Sequence, residues 1–177
     1  MSSLQSIWLG QSEVGKTSLL LAGCNSHQRH GDYRYPPTTG VDALLFSQLG
    51  RRLMCWDTSG QARFEMVVSM FLKHCDVAVI VYDLQNPSSF DTAVQWHRRV
   101  QSYCASNSST IRTYLVGNKM DAESKVAPER VETYCQEHRL EHFKMESSDT
   151  AAVQRFLRYI VDCDGGPRGG NACCTIT

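Results

Sequence analysis

The octapeptide GQSEVGKT, from Gly10 to Thr17, follows an apolar run and leads into a stretch that suits a helix. A strand that bends through two glycines into a helix points several backbone N–H groups at one spot, and that spot binds phosphate. Each residue type fits the task. The glycines let the backbone wrap an anion, Lys16 brings a positive charge to the outer phosphates, and the Thr17 hydroxyl can ligate magnesium. The loop predicts nucleotide contacts from Gly10, Ser12, Glu13, Val14, Gly15, Lys16, Thr17 and Ser18.

At 177 residues the chain suits one domain with a full sheet-and-helix core. Its 18 basic and 18 acidic residues cancel, so no bulk field favours nucleic acid. The opening MSSLQSIWLG lacks a basic leader and a long apolar run, and no later run is long enough to span a bilayer, so the body is expected to be soluble. Of the eight cysteines, Cys24, Cys55, Cys75, Cys104, Cys135 and Cys163 are expected to be small buried or half-buried thiols in a reducing compartment. With no CxxC pair and scattered histidines, no metal beyond magnesium is expected; His138 and His142 fall where a helix end passes into a strand.

Short apolar runs at Ile7–Leu9, Leu53–Trp56, Val77–Tyr82 and Tyr114–Val116 read as buried strands. Between them, Lys16–Ala22, Ala62–Lys73, Ser89–Cys104, Pro128–His138 and Ala151–Val161 read as helices. In the third, Phe90, Ala93, Val94, Val100, Gln101 and Cys104 form the expected buried stripe. Alternation of this kind implies a mostly parallel sheet covered on both faces, while Val41–Phe46, joined to Leu53–Trp56 through Gly50, adds an antiparallel edge strand. In such sheets ligands bind beyond the carboxyl ends of the strands.

Three further motifs separate the nucleotide-binding classes. In WDTSGQARF, Asp57 ends a strand and can hold magnesium opposite Thr17, Gly60 allows a backbone N–H near a terminal phosphate, and Gln61 can orient water. In NKMD, Asp121 can accept from the N1–H and exocyclic amine of guanine, Lys119 can lie over the base, and Asn118 can tie this loop to the phosphate loop. In PPTTGVD, Thr38 is the candidate for a second magnesium and γ-phosphate contact.

Together GQSEVGKT, TTGVD, WDTSGQARF, IVYDLQNPSSF, LVGNKMD and the terminal CC resemble a small GTPase of the Ras superfamily, most like a divergent Rab. The resemblance implies a P-loop NTPase fold with a six-stranded, mostly parallel sheet, one antiparallel edge strand and about five helices. It implies GTP and GDP with Mg2+, and slow hydrolysis carried by Lys16, Thr38 and Gln61. Thr17, Thr38 and Asp57 would hold the metal, and Ser148 and Asp149 would join the base site through ESSDT, the counterpart of the family's ETSAK. It further implies effectors, an exchange factor and a GTPase-activating partner. Prenylation machinery and a GDP-dissociation-inhibitor-like chaperone would follow from the lipidation of Cys173 and Cys174, with the monomer held on the cytosolic face of intracellular membranes. Residues 1–162 would form the GTPase domain and 163–177 a flexible tail.

Departures accompany the resemblance. Glu13 stands where the family has a small residue, Ser59 and Ala62 flank the Gly60–Gln61 pair in place of alanine and glutamate, and Ala43 replaces an aromatic of the Rab effector-facing cluster, whose other positions hold Trp56 and Phe71. The first switch is long and rich in histidine and arginine, and either Tyr33 or Tyr35 is the candidate to cover a nucleotide. Two alternatives stand beside the switch. A Rab-like structural subunit of a ciliary transport assembly would hydrolyse little, and an adenylate-type kinase or ATPase would not prefer guanine.

Overall fold

The computed structural model describes residues 4–24, 38–48, 50–61, 65–120 and 123–164. The strands are β1 (Leu4–Leu9), β2 (Val41–Gln48), β3 (Arg51–Thr58), β4 (Val77–Asp83), β5 (Arg112–Asn118) and β6 (Glu141–Lys144). The helices are α1 (Lys16–Gly23), α2 (Glu65–Phe71), α3 (Pro87–Asn107), α4 (Pro128–His138) and α5 (Thr150–Asp164), with a 3-10 turn, Leu72–His74, after α2. The sheet runs β2-β3-β1-β4-β5-β6. Only β2 is antiparallel to its neighbour, as the hairpin reading requires, and Gly50 makes the turn with φ +77°.

Strand alternation sorts the core into two layers. Val77, Val79 and Val81 of β4 face α1 and α5 through Leu19, Leu20, Val153, Phe156 and Leu157. Ala78, Ile80 and Tyr82 face the other side, toward Val68 of α2, Phe90 and Trp96 of α3, and Val131 of α4. A strand buried on both faces has no polar position to alternate, so the continuous apolar run VAVIVY marks the centre of the sheet. The cysteines match their expected places: Cys55, Cys75 and Cys135 are buried, and Cys24, Cys104 and Cys163 half-buried.

Several boundaries and one stripe differ from expectation. Helix α3 begins at Pro87, because Asn86 caps it by accepting the Ser88 N–H at 3.1 Å and proline suits the first turn. Its buried arc includes Trp96 and His97, whereas Gln101 is exposed. The stripe was displaced because His97 reads as polar; in the fold its Nδ1 meets the Tyr134 hydroxyl at 2.8 Å, which satisfies it inside the core. Helix α2 is described only from Glu65, and its end tightens into the 3-10 turn. Helix α5 runs on to Asp164, past the expected start of the tail, and residues 165–177 with Cys173 and Cys174 lie outside the described residues.

Burial, aided by the neighbouring His138, lowers the His97 pKa from 6.5 to about 4. The folded chain therefore binds fewer protons than the unfolded one between these values. Stability is complete above pH 6.5 and is lost as pH falls toward 4, by about 3 kcal/mol in all from this group. A His97→Gln variant is expected to show a shallower fall in urea midpoint across that window; an identical pH profile would refute the assignment.

Candidate functional site

The phosphate loop leaves β1 at Gly10 and enters α1 at Lys16, and close contacts impose both of its glycines. A Cβ on Gly10 would lie 2.2 Å from the Val81 carbonyl oxygen, and one on Gly15 would lie 2.2 Å from Asn118 Nδ2. Gly15 also adopts φ +93°, as the left-handed N-cap of α1. Glu13 is exposed and sits at φ +66°, a backbone conformation that glycine adopts without strain.

Lys16 is 5% exposed, and its Nζ donates to the carbonyls of Gly10 at 3.0 Å and Gln11 at 2.9 Å. Burial lowers its pKa to about 8, with the Asp57 carboxylate opposing the shift. A cation buried in this way and held by backbone carbonyls is set to meet an anion.

Beside it, three oxygen-bearing side chains from separate elements converge. The Thr17 hydroxyl donates to Asp57 Oδ2 at 2.5 Å, the Thr38 hydroxyl donates to the same oxygen at 3.1 Å, and the two hydroxyls lie 3.1 Å apart. Asp57 is 1% exposed, its other oxygen Oδ1 is buried with no hydrogen-bond partner, and desolvation raises its pKa. A buried carboxylate oxygen without a donor is costly, and a hard divalent cation among all-oxygen ligands removes that cost. The donor set thus fits magnesium.

Gly60 follows on the same edge. Its Cα packs so closely on the phosphate loop that a Cβ would lie 2.2 Å from Ser12 N. Gln61 is half-buried, and its N–H reaches the Ser59 hydroxyl at 3.3 Å. The Ser59 N–H in turn donates to the Gly40 carbonyl at 2.8 Å, joining the segment after β3 to the one that carries Thr38.

On the opposite flank, Asn118 Nδ2 donates to the Val14 carbonyl at 2.8 Å, and its Oδ1 is buried without a partner. Lys119 adopts φ +67°, and its Nζ pairs with Asp83 Oδ2 at 2.6 Å. Asp121 lies outside the described residues. Ser148 and Asp149 are exposed at the start of α5. The Ser148 hydroxyl donates to Glu146, the Asp149 N–H donates to the Glu146 carbonyl at 3.1 Å, and Asp149 Oδ1 accepts the Ala152 N–H at 2.9 Å. Asp149 is therefore an N-cap for α5, a role that the aspartate-then-helix pattern signals.

A separate surface lies on the β2–β3–α2 side. Trp56 and Phe71 pack with ring centroids 5.2 Å apart, and exposed Ala43 lies opposite Trp56 in the β2–β3 ladder. Met66, Met70 and Leu45 are 81%, 63% and 46% exposed. Sequence reasoning missed these three, although Met66 and Met70 flank core-facing Val68 on one helix.

The Ras family model matches residues 5–163. The chain belongs to the Ras family. This small GTPase is similar to Rab proteins. It is 29% identical to the Ras-related protein Rab-13 of Rattus norvegicus, over 93% of this chain and 83% of the relative. It is 32% identical to the Ypt/Rab-type GTPase ypt7 of Schizosaccharomyces pombe, over 85% and 77% respectively. Identity to Rab-7b of Mus musculus is also 32%, over 86% and 78%. The sheet, with β1, β3, β4, β5 and β6 parallel and β2 antiparallel, brings Gly10, Asp57 and Asn118 to the carboxyl ends of β1, β3 and β5. No helix among the described residues is long and apolar enough to cross a membrane.

Proposed function

We propose that this Rab-like GTPase is a membrane-trafficking switch, in which GTP holds Thr38 and the Gly60–Gln61 segment in an effector-binding shape and hydrolysis to GDP releases them. The observation that carries the reading is the meeting of Thr17, Thr38 and Asp57 around one unsatisfied carboxylate oxygen, beside the buried ammonium of Lys16. Thr38 comes from the first switch and Asp57 opens the second, so a ligand gripped here couples both to the phosphate loop. Thr17, Thr38 and Asp57 would hold Mg2+, which when bound neutralises charge on the phosphates. Lys16 and the loop amides would bind the outer phosphates, and Gln61 would orient water.

Unaided hydrolysis is slow in this reading, and a partner supplies an arginine to the phosphate site. The test is twofold. Denaturing the purified protein should release a guanine nucleotide, and single-turnover hydrolysis should be slow alone and quicken with an arginine-bearing activator. Rapid unaided turnover would exclude the slow switch. A complete absence of hydrolysis, with or without activator, would instead favour a structural GTP-binding subunit, the reading that Ala43 in place of an effector-facing aromatic supports. A partner that binds the GTP and GDP forms equally well would also overturn the switch.

Membrane attachment would follow from lipid on Cys173 and Cys174, since one chain anchors marginally and two anchor stably. Mass spectrometry of protein made in eukaryotic cells should find two isoprenoid additions there. A single addition on Cys174 would mark the CaaX route, and none would remove the anchor.

A further inference from the structure

The purine flank of the site is braced from behind by the segment that leaves β4, and the brace centres on Asp83. Asp83 is buried, so its carboxylate needs partners for both oxygens. Oδ1 accepts the Gln85 N–H at 2.8 Å, a turn that locks the rotamer. Oδ2 accepts from Lys119 Nζ at 2.6 Å. Below the carboxylate, the Asp83 N–H is held by the buried Ser89 hydroxyl at 2.9 Å, which fixes the strand end itself.

The same segment holds the backbone of the base-recognition loop. Asp83 stands opposite Asn118 in the β4–β5 ladder, the Leu84 N–H donates to the Asn118 carbonyl at 3.0 Å, and Gln85 Nε2 reaches the Lys119 carbonyl at 3.5 Å. Lys119 needs that support, because its φ of +67° is strained for a residue that bears a Cβ. The pair is also asymmetric: side-chain exposure is 40% for Lys119 and 11% for Asp83. An ion pair at an open surface contributes little, but here the carboxylate end is fixed and largely dry, so the lysine head has one well-defined place to rest.

We propose that Asp83 is a positioning residue for base recognition, acting through Lys119: its carboxylate anchors the ammonium and thereby holds the lysine stem and the Asn118–Lys119 turn where a purine is bound. This rests on the reading of Asn118–Asp121 as the guanine site. Without Asp83, Lys119 samples many rotamers, and the bound base loses a fixed wall.

The test is a double-mutant cycle on full-length protein loaded with fluorescent GDP, read by the release rate. Asp83→Asn, which keeps the shape and removes the charge, is expected to speed release about tenfold. Lys119→Met is expected to speed it at least as much, and the double variant should be no faster than Lys119→Met alone. Asp83→Glu should restore most of the wild-type rate. Thermal unfolding of each loaded variant identifies any that is misfolded, and a misfolded Asp83→Asn is replaced in the cycle by Asp83→Ala, with the same expectations. An Asp83 effect that persists in full without Lys119, or no effect at all, overturns the positioning role alone. A wild-type protein that binds no guanine nucleotide overturns the functional reading, and this proposal with it.

Discussion

A Lys16→Met variant is expected to lose guanine-nucleotide affinity by roughly a thousandfold, about 4 kcal/mol. The ammonium is almost wholly buried and donates to two loop carbonyls, so its charge is poorly served by solvent and strongly available to phosphate. Methionine keeps most of the stem and removes only the cation. The same reasoning predicts an opposite trend in the empty protein. Burial lowers the lysine pKa to about 8, so the charged form weakens the empty fold, and removing the charge is expected to leave folding stability unchanged or to raise it. Calorimetric titration with GDP, paired with thermal unfolding of the stripped protein, separates the two quantities. Unchanged GDP affinity would remove Lys16 from the phosphate site.

The second large effect is a change of base preference. Asp121→Asn is expected to reverse the choice of guanine over xanthine nucleotides, lowering the ratio of affinities by about a thousandfold or more. A carboxylate accepts from both N1–H and the exocyclic amine of guanine. An amide offers one donor and one acceptor, and so suits the extra carbonyl of xanthine instead. Asp121 lies outside the described residues, but Asn118 and Lys119, just before it, are tied to Val14 and Asp83. Competition of GDP and XDP for the variant decides the matter; a retained guanine preference would show that another residue reads the base.

Much of this arrangement is written in residue order. The glycines of the phosphate loop, the aspartate ending β3 and the asparagine ending β5 announce themselves, because each stands at a fixed step after an apolar run and geometry leaves few substitutes. The doubly covered β4 is equally plain. What stayed hidden depends on long-range pairing. His97 looks like a surface residue until Tyr134, from another helix, supplies its partner. Asp83 looks like an ordinary strand-ending turn until the β4–β5 register sets it beside Lys119. Asp149 was read through its backbone, whereas its side chain had a local task as a helix cap. Exposed Met66 and Met70 escape notice because helical spacing alone does not tell a core stripe from an outward one, and only Val68 turning inward fixes the sense.

The doubly covered strand VAVIVYD also burdens the nascent chain. Its first six residues, VAVIVY, have the branched, uncharged composition of segments that stack between chains, and its own two neighbours emerge at very different times. β1 is already available, but β5 follows only after the long helix α3, so one edge of β4 waits unpaired while about thirty further residues are synthesised. Early docking of α3 can shield a face of the strand, but it cannot satisfy that edge. Ribosome-bound chains stopped before β5 should therefore be the species most prone to aggregate and the most dependent on chaperones.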